Sequence, residues 1–434
     1  MKSQSILLFL LIAAFQLSAQ NVLTLDIALD QALENNYNIK IARNNKEIAD
    51  NNYSLGNAGF LPSINANFDK SFGNQSFDRE LASGTLQSQS NAKNERTTYG
   101  ASLNWTIFDG MKMFTTYDQL SELNQQSEES LKAEIELLVY NITSTFYLAA
   151  LEKERLTRYD SNVLLSDERL SVAKDKYELG KASKLEFLQA QVDLNADKSL
   201  RIQQQQQLAL RKYELARLMA DYADSIDFTL QFELVNDDNL NLSDLLENLE
   251  AQNPVLTAAK REKAIADYNA KINKGDRLPV VGLNAGYVHS KSITPAGFAL
   301  ENTSSDITYG LTASWTIFNG FNVNRRIQNA KIQSENSEYQ YNNQLLDFNT
   351  AIKSRYIDYK NSLELMALES ENLSVARENN EISKARYEIG LSTALELREA
   401  QINFLDAELR FQNAAFNAKL AAIELKYLSG TSLR

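Results

Sequence analysis

The sequence predicts a mainly helical chain that carries a small set of membrane β-strands and is written as two copies of one unit. Three observations predict this. The chain opens with an export address, a long segment returns at a fixed offset, and in each copy the apolar period changes from two to seven.

The address comes first. Lys2 supplies a charged start, Ile6 to Phe15 an apolar run, and Leu17-Ser18-Ala19 a small-residue exit. This pattern is a secretory signal peptide over 1–19. The competing reading, a membrane anchor, needs about twenty apolar residues, and this run has about ten. No later segment is apolar enough to span as a helix. The mature chain, 20–434, is therefore expected to be exported as one domain and to enter a membrane only as strands.

Composition removes several functions. There is no cysteine and one histidine, His289. Disulfides, thiolate catalysis and multi-histidine metal sites are excluded. No catalytic residues, metal or cofactor are expected. A formal net charge of -12, from 44 basic and 56 acidic residues, with no basic patch, argues against nucleic acid.

The duplication is explicit. Thr98-Tyr99-Gly100-Ala101-Ser102-Leu103-Asn104-Trp105-Thr106-Ile107-Phe108-Asp109-Gly110 returns as Thr308-Tyr309-Gly310-Leu311-Thr312-Ala313-Ser314-Trp315-Thr316-Ile317-Phe318-Asn319-Gly320, an offset of 210. Tyr177-Glu178-Leu179-Gly180 returns at the same offset as Tyr387-Glu388-Ile389-Gly390, and Ala190-Gln191 as Ala400-Gln401. Upstream the offset is 217, as in Leu61-Pro62 and Leu278-Pro279. The repeats run over about 22–220 and 240–430, too long for solenoid units.

Each repeat first alternates. Ile64, Ala66 and Phe68, then Tyr99, Ala101, Leu103, Trp105 and Ile107, are apolar at period two, and the second repeat does the same. Period two marks half-buried strands, here over about 61–72, 97–108, 279–289 and 306–318. Their other face is Thr, Ser, Asn and Gly, with aromatics near the ends as in outer-membrane barrels. A hairpin on a soluble sandwich is the alternative, but four strands are too few for one. The polar stretches Gly73–Arg96 and Ser290–Asp306 read as long external loops.

After each Gly the chain becomes helical. Ile135, Ile142, Ala149, Leu156, Val163, Leu170 and Tyr177 are seven apart, as are Leu345, Ile352, Tyr359, Met366 and Leu373, with Tyr387 in the same series. Sustained sevens mean long supercoiled helices. Gly110 to Leu179 would reach about 105 Å at 1.5 Å per residue. Gly180 and Gly390 fit left-handed C-caps. Ser183-Lys184-Leu185-Glu186 and Thr393-Ala394-Leu395-Glu396 are capping boxes that open return helices. Phe228, Leu230, Phe232 and Leu234 alternate and could add a small strand between the repeats.

Four strands cannot close a barrel, and open edges in lipid leave backbone groups unpaired. The chain must therefore oligomerise. Two copies give a filled eight-stranded barrel and three leave a lumen.

The repeated Trp-Thr-Ile-Phe-[Asp/Asn]-Gly, the Leu-Pro before each first strand, and Tyr-Glu-x-Gly-x-x-[Ser/Thr]-x-Leu-Glu resemble the outer membrane efflux protein family (TolC-like) over nearly the whole mature chain. The resemblance implies a homotrimer with a 12-stranded β-barrel, four strands per chain, in the outer membrane. A 12-helix α-barrel of coiled-coil helices would extend into the periplasm. The segment 225–249 and the termini would form a mixed equatorial region. The implied role is the exit duct of a tripartite efflux pump or type I secretion system. Its partners would be a periplasmic adaptor (membrane fusion) protein and an inner-membrane transporter of RND, ABC or MFS type, besides outer-membrane lipid.

The resemblance also implies site residues. Glu396 and Glu399 match an acidic pore constriction at the second hairpin tip. A ring of such acids would favour cations. Glu396 also sits at the capping-box position, and Glu399 could instead be solvated. Arg398 could partly neutralise Glu399. Tyr387 matches a gate latch and is equally a heptad core position. The family's basic latch residue is replaced here by Ser392. Leu179, Gly180, Lys181, Ile389, Gly390 and Leu391 are the adaptor-docking tips or simply the hairpin turns. A periplasmic coiled-coil adaptor or structural envelope protein is the alternative, but lipoyl-like and Gly/Val-rich β modules are missing. An enzyme reading finds no convergent polar constellation.

Overall fold

The computed structural model describes residues 21–221, 226–234, 239–295 and 299–431. The signal segment, 1–19, lies outside them. The chain divides into two compact units, each discontinuous in sequence. One comprises 45–128 and 258–341, and the other takes the remainder.

The first unit contains the strands β2 (Ser63–Glu80), β3 (Leu86–Phe108), β5 (Val280–Ile293) and β6 (Glu301–Ser314). They form one antiparallel sheet in the order β2-β3-β5-β6. The register places Phe68 opposite Tyr99, Tyr99 opposite His289, and Ala285 opposite Tyr309. One face thereby collects Ile64, Phe68, Leu103, Trp105, Leu283, Tyr287, Ile307, Tyr309 and Leu311. The other collects Asn65, Asn67, Ser102, Thr98, Asn284, Thr308 and Thr312. The apolar face is uncovered: Ile64 is 72 % exposed and Tyr309 85 %. A single-layer sheet with no core on either face is not stable in water alone. The missing burial has to come from outside the chain.

The strands correct the sequence reading at both ends. The polar stretch after Gly73 is not a long loop. β2 and β3 pair out to Glu80 and Leu86, leaving only five residues between them, closed by the Leu81 N–H on the Thr85 carbonyl at 2.9 Å. Ser290–Asp306 shortens likewise, because β5 and β6 pair to Ile293 and Glu301. Backbone pairing continues where Thr, Ser, Asn and Gln replace apolar side chains, since the ladder does not need them. At the other end β6 stops at Ser314, short of the expected 318. Its partner β5 begins at Val280, opposite Ser314, just after Pro279, which has no N–H to donate.

Both repeated tryptophans turn back on the preceding linker. Trp105 Nε1 donates to the Phe60 carbonyl at 2.8 Å and Trp315 Nε1 to that of Arg277 at 3.0 Å. The [Asp/Asn]-Gly that follows each tryptophan is a strand-to-helix junction. Asp109 accepts the Met113 N–H at 3.1 Å and Asn319 the Val323 N–H at 3.4 Å. Gly110 and Gly320 take φ +81° and +66°.

Two helix pairs follow. In the first, α3 (Lys112–Glu178) returns through α4 (Lys184–Leu218); in the second, α7 (Asn322–Glu388) returns through α8 (Ala394–Ser429). The shorter helices are α1 (Leu25–Asn35), α2 (Tyr37–Asn52), α5 (Leu242–Gln252) and α6 (Pro254–Gly275). In the second unit, β1 (Asn21–Leu23) pairs in parallel with β4 (Phe228–Leu230). The expected strand near 228–234 is therefore shorter than its alternation suggests. Phe232 and Leu234 instead pack on Phe416, Ala150 and Leu151. The main core joins Leu23, Leu29, Ile39, Ile142, Phe146, Leu215 and Leu230.

Only part of the seven-residue series becomes the buried seam. Ile142, Ala149, Ile352, Tyr359 and Tyr387 are buried. Towards the end of α3 the seam passes instead through Asn162, Ser166, Arg169 and Ala173, and Tyr177 is 40 % exposed. The reason is a polar network described below.

The glycine at each strand-to-helix junction makes a direct test. A Cβ on Gly110 would lie 2.3 Å from the Gly275 carbonyl oxygen, whereas one on Gly320 would meet only Asn322 Nδ2 at 3.8 Å. Gly320→Ala should cost about 1–2 kcal/mol from left-handed strain alone. Gly110→Ala should cost clearly more, read as the larger drop in thermal unfolding midpoint.

Candidate functional site: the helical hairpin tips

The tips form as the glycines and caps dictate. Gly180 and Gly390 adopt φ +70° and +80°. The Lys181 N–H reaches the Lys176 carbonyl at 2.7 Å, and Leu391 N–H the Arg386 carbonyl at 2.8 Å. Both are Schellman closures, which only a residue tolerant of the left-handed region makes cheaply. Ser183 and Thr393 then cap α4 and α8, accepting the Glu186 and Glu396 N–H at 3.2 Å each.

Leu179, Ile389 and Leu391 are about two-thirds exposed, and Gly180, Lys181 and Gly390 are exposed too. Two further apolar residues, Leu185 and Leu395, are 75 % and 76 % exposed. The sequence reading passed over them. Their signal was present: each lies two residues after its cap, at matching repeat positions.

Tyr387 and its repeat partner Tyr177 part company. Tyr177 is exposed and stacks on Phe187. Tyr387 is buried, and its hydroxyl donates to Glu186 Oε1 at 3.1 Å. Lys176 Nζ lies 3.6 Å from the Tyr387 ring centroid and donates to its carbonyl at 3.1 Å. Glu186 thus serves the opposite hairpin with its carboxylate while its N–H is capped. Burial first, then the Glu186 charge, push the Tyr387 phenol up to about 12.

Glu396 and Glu399 lie exposed on α8, one turn apart. Leu397, Ala400 and Gln401 form the buried side of the same turn. Arg398 does not neutralise Glu399. Its guanidinium turns inward and grips Asp197 with two bonds of 2.8 and 2.9 Å. Ser166 also donates to Asp197. Arg169 bonds Gln401 at 2.9 Å and Asp193 at 3.1 Å. Burial and the Arg398 charge lower the Arg169 pKa from its ordinary value. Arg169, Glu186, Leu185, Leu395 and Arg398 line part of a cavity of about 590 Å³ between the two hairpins. Lys384 adds a bond to Glu168 at 2.9 Å.

Every feature here belongs to a long-helix hairpin of one repeat set against that of the other. The outer membrane efflux protein family model matches residues 28–221 and 245–431. The chain belongs to that family. It is 19 % identical over 421 residues to the outer membrane efflux protein BepC of Brucella suis, covering 94 % of this chain and 85 % of BepC. It is 21 % identical over 332 residues to protein CyaE of Bordetella pertussis, covering 76 % of this chain and 69 % of CyaE. The fold matches the CmeC outer membrane channel of Campylobacter jejuni with a TM-score of 0.80 at 17 % identity, covering 94 % and 85 % of the two chains. The fold is that of the trimeric TolC-like channels, mainly helical with four barrel strands per chain. The protein is an outer-membrane efflux channel. The family is one of channels rather than enzymes.

The raised Tyr387 phenol gives a pH test. A pKa raised above the unfolded value adds stability that is full below about 10 and is lost as pH climbs to about 12. Melting midpoints of the wild type should fall across that window. Tyr387→Phe should fall less steeply there while starting lower at neutral pH.

Proposed function

We propose that three copies of this chain close a duct through the outer membrane and extend it into the periplasm. The observation that carries this is the sheet: among the described residues, β2 and β6 each have a free edge and neither face has a core. Backbone groups at a free edge in lipid stay unpaired, so β6 of one copy must pair with β2 of the next. Three copies give twelve strands, a polar inner face and an apolar outer face. Residues 20–434 then act as one channel domain after loss of 1–19.

The tips are the periplasmic entrance. Glu399 lies on the exposed face of α8, and three copies would form a ring of carboxylates that favours cations. Glu396, one turn away, joins that ring while its N–H serves the cap. The Tyr387–Glu186 bond is the latch between the two hairpins of one chain. Leu179, Gly180, Lys181, Ile389, Gly390 and Leu391 meet a periplasmic adaptor, with Leu185 and Leu395 beside them. An inner-membrane transporter of RND, ABC or MFS type provides energy and selects the cargo, in an efflux pump or a type I secretion system.

Native mass of protein extracted from outer membranes tests the assembly. Three mature chains, roughly 140 kDa after subtracting detergent, are expected; a monomer or dimer would overturn the proposal. In planar bilayers, Glu399→Gln should weaken cation preference with trimers intact. Unchanged reversal potentials would remove Glu399 from the pore. Gly390→Asp should lower export with trimers intact, and normal export would move the docking site elsewhere.

A further inference from the structure

The two strand-to-helix junctions share a backbone but not a residue. Asp109-Gly110 stands in the first repeat and Asn319-Gly320 in the second, the single Asn-Gly step of the chain. Both glycines are left-handed, and so are the residues after them, Met111 at φ +68° and Phe321 at +62°. Their surroundings differ. The first junction is clamped: Gly110 packs on Gly275, Lys112 pairs with Asp276 at 2.9 Å, and Met113 is 4 % exposed. The second is open. A Cβ on Gly320 would meet nothing closer than 3.8 Å, and Phe318 and Phe321 are 72 % and 69 % exposed. Residues 315–321 belong to no strand or helix. The Asn319 side chain is held by one long contact, 3.4 Å to the Val323 N–H. Among the described residues no acceptor meets the Gly320 N–H.

This combination has a chemical consequence. A backbone nitrogen can attack the side-chain amide of the asparagine before it when no side chain blocks the approach and the backbone is free to turn. Glycine meets both conditions. The Gly320 nitrogen gives its proton to base and bonds to Asn319 Cγ. The Cγ–Nδ2 bond breaks, and Nδ2 takes up a proton and leaves as ammonia. Water then opens the five-membered imide. Cleavage at Cγ leaves aspartate. Cleavage at the main-chain carbonyl leaves isoaspartate, with the chain now running through Cβ and Cγ. Water is the only co-reactant, and the exposed turn admits it.

We propose that Asn319 is a site of spontaneous deamidation, through which the second junction acquires the residue that the first already has. The direct product suits the place. A carboxylate can accept the Val323 N–H as Asp109 accepts that of Met113, and negative charge at the start of α7 is favoured. The isoaspartyl product does not suit it. It adds a methylene to the backbone beside two left-handed residues and displaces the capping oxygen.

The test is peptide mass spectrometry of purified full-length protein, held in detergent at mildly alkaline pH in water enriched in heavy oxygen. The peptide holding Asn319 should exchange its amide for a water-derived hydroxyl severalfold faster than the peptide holding Asn284, which lies within the β5–β6 ladder. The rate should rise with pH, and isoaspartyl methyltransferase should label part of the product. Asn319→Gln should abolish the exchange in that peptide. Asn319→Asp should melt at or above the wild type, and the isoaspartyl fraction below it. Native protein that keeps the amide while a free peptide of residues 315–323 loses it would overturn the proposal. Exchange seen only after denaturation would do the same. An Asn319→Gln variant that still exchanges at the wild-type rate would place the reaction at another residue and overturn it too.

Discussion

Backbone hydrogen bonding in lipid is the constraint on which this molecule depends. A strand edge that faces hydrocarbon has no water to satisfy its N–H and C=O groups. The sheet of β2, β3, β5 and β6 satisfies only its inner pairings from its own chain. Its remaining needs are met by another copy and by lipid. The duplicated sequence supplies two hairpins of strands per chain, which fixes the strand number at a multiple of four. Long helices, strand-to-helix junctions at Asp109-Gly110 and Asn319-Gly320, and the absence of a conventional sheet core all follow from a chain that contributes one sector of a ring.

The helical hairpins obey a different rule. Their backbone is satisfied internally, so side chains decide how they associate. Near Ile142 and Phe146 the association is apolar. Near the tips it becomes ionic, with Arg398, Arg169, Asp193 and Asp197 in place of heptad apolar residues. Apolar contacts tolerate sliding because they are non-directional. A bidentate ion pair allows one arrangement. The hairpin ends are therefore held by contacts with a discrete made and broken state.

Much of this was legible in the residues. Alternation at Tyr99, Ala101, Leu103 and Trp105 located β3, and Ser183 and Thr393 located both return helices, because caps and period two are local properties. Strand ends were less legible. Asn, Ser and Gln between Gly73 and Arg96 read as loop, since composition does not reveal which backbone groups find a partner. The tip network was not legible. A charged residue such as Asp197 reads as solvated, and only its placement between Arg398 and Ser166 shows why it is buried. Tyr177 and Tyr387 carried the same motif into different surroundings. Pattern assigns an element, while its neighbours assign each side chain.

The parallel pairing of β1 with β4 bears on the order in which the chain organises itself. The main core cluster runs from Leu23 to Leu230 and draws its described members from before the second repeat. Asn21–Leu23 remain without their strand partner until Phe228–Leu230 has been delivered. From that moment the amino-terminal half holds the described members of its main cluster, while Phe416, which packs with Ala150 and Leu151, has still to follow. The sheet can be completed only later, when β5, β6 and the other copies arrive.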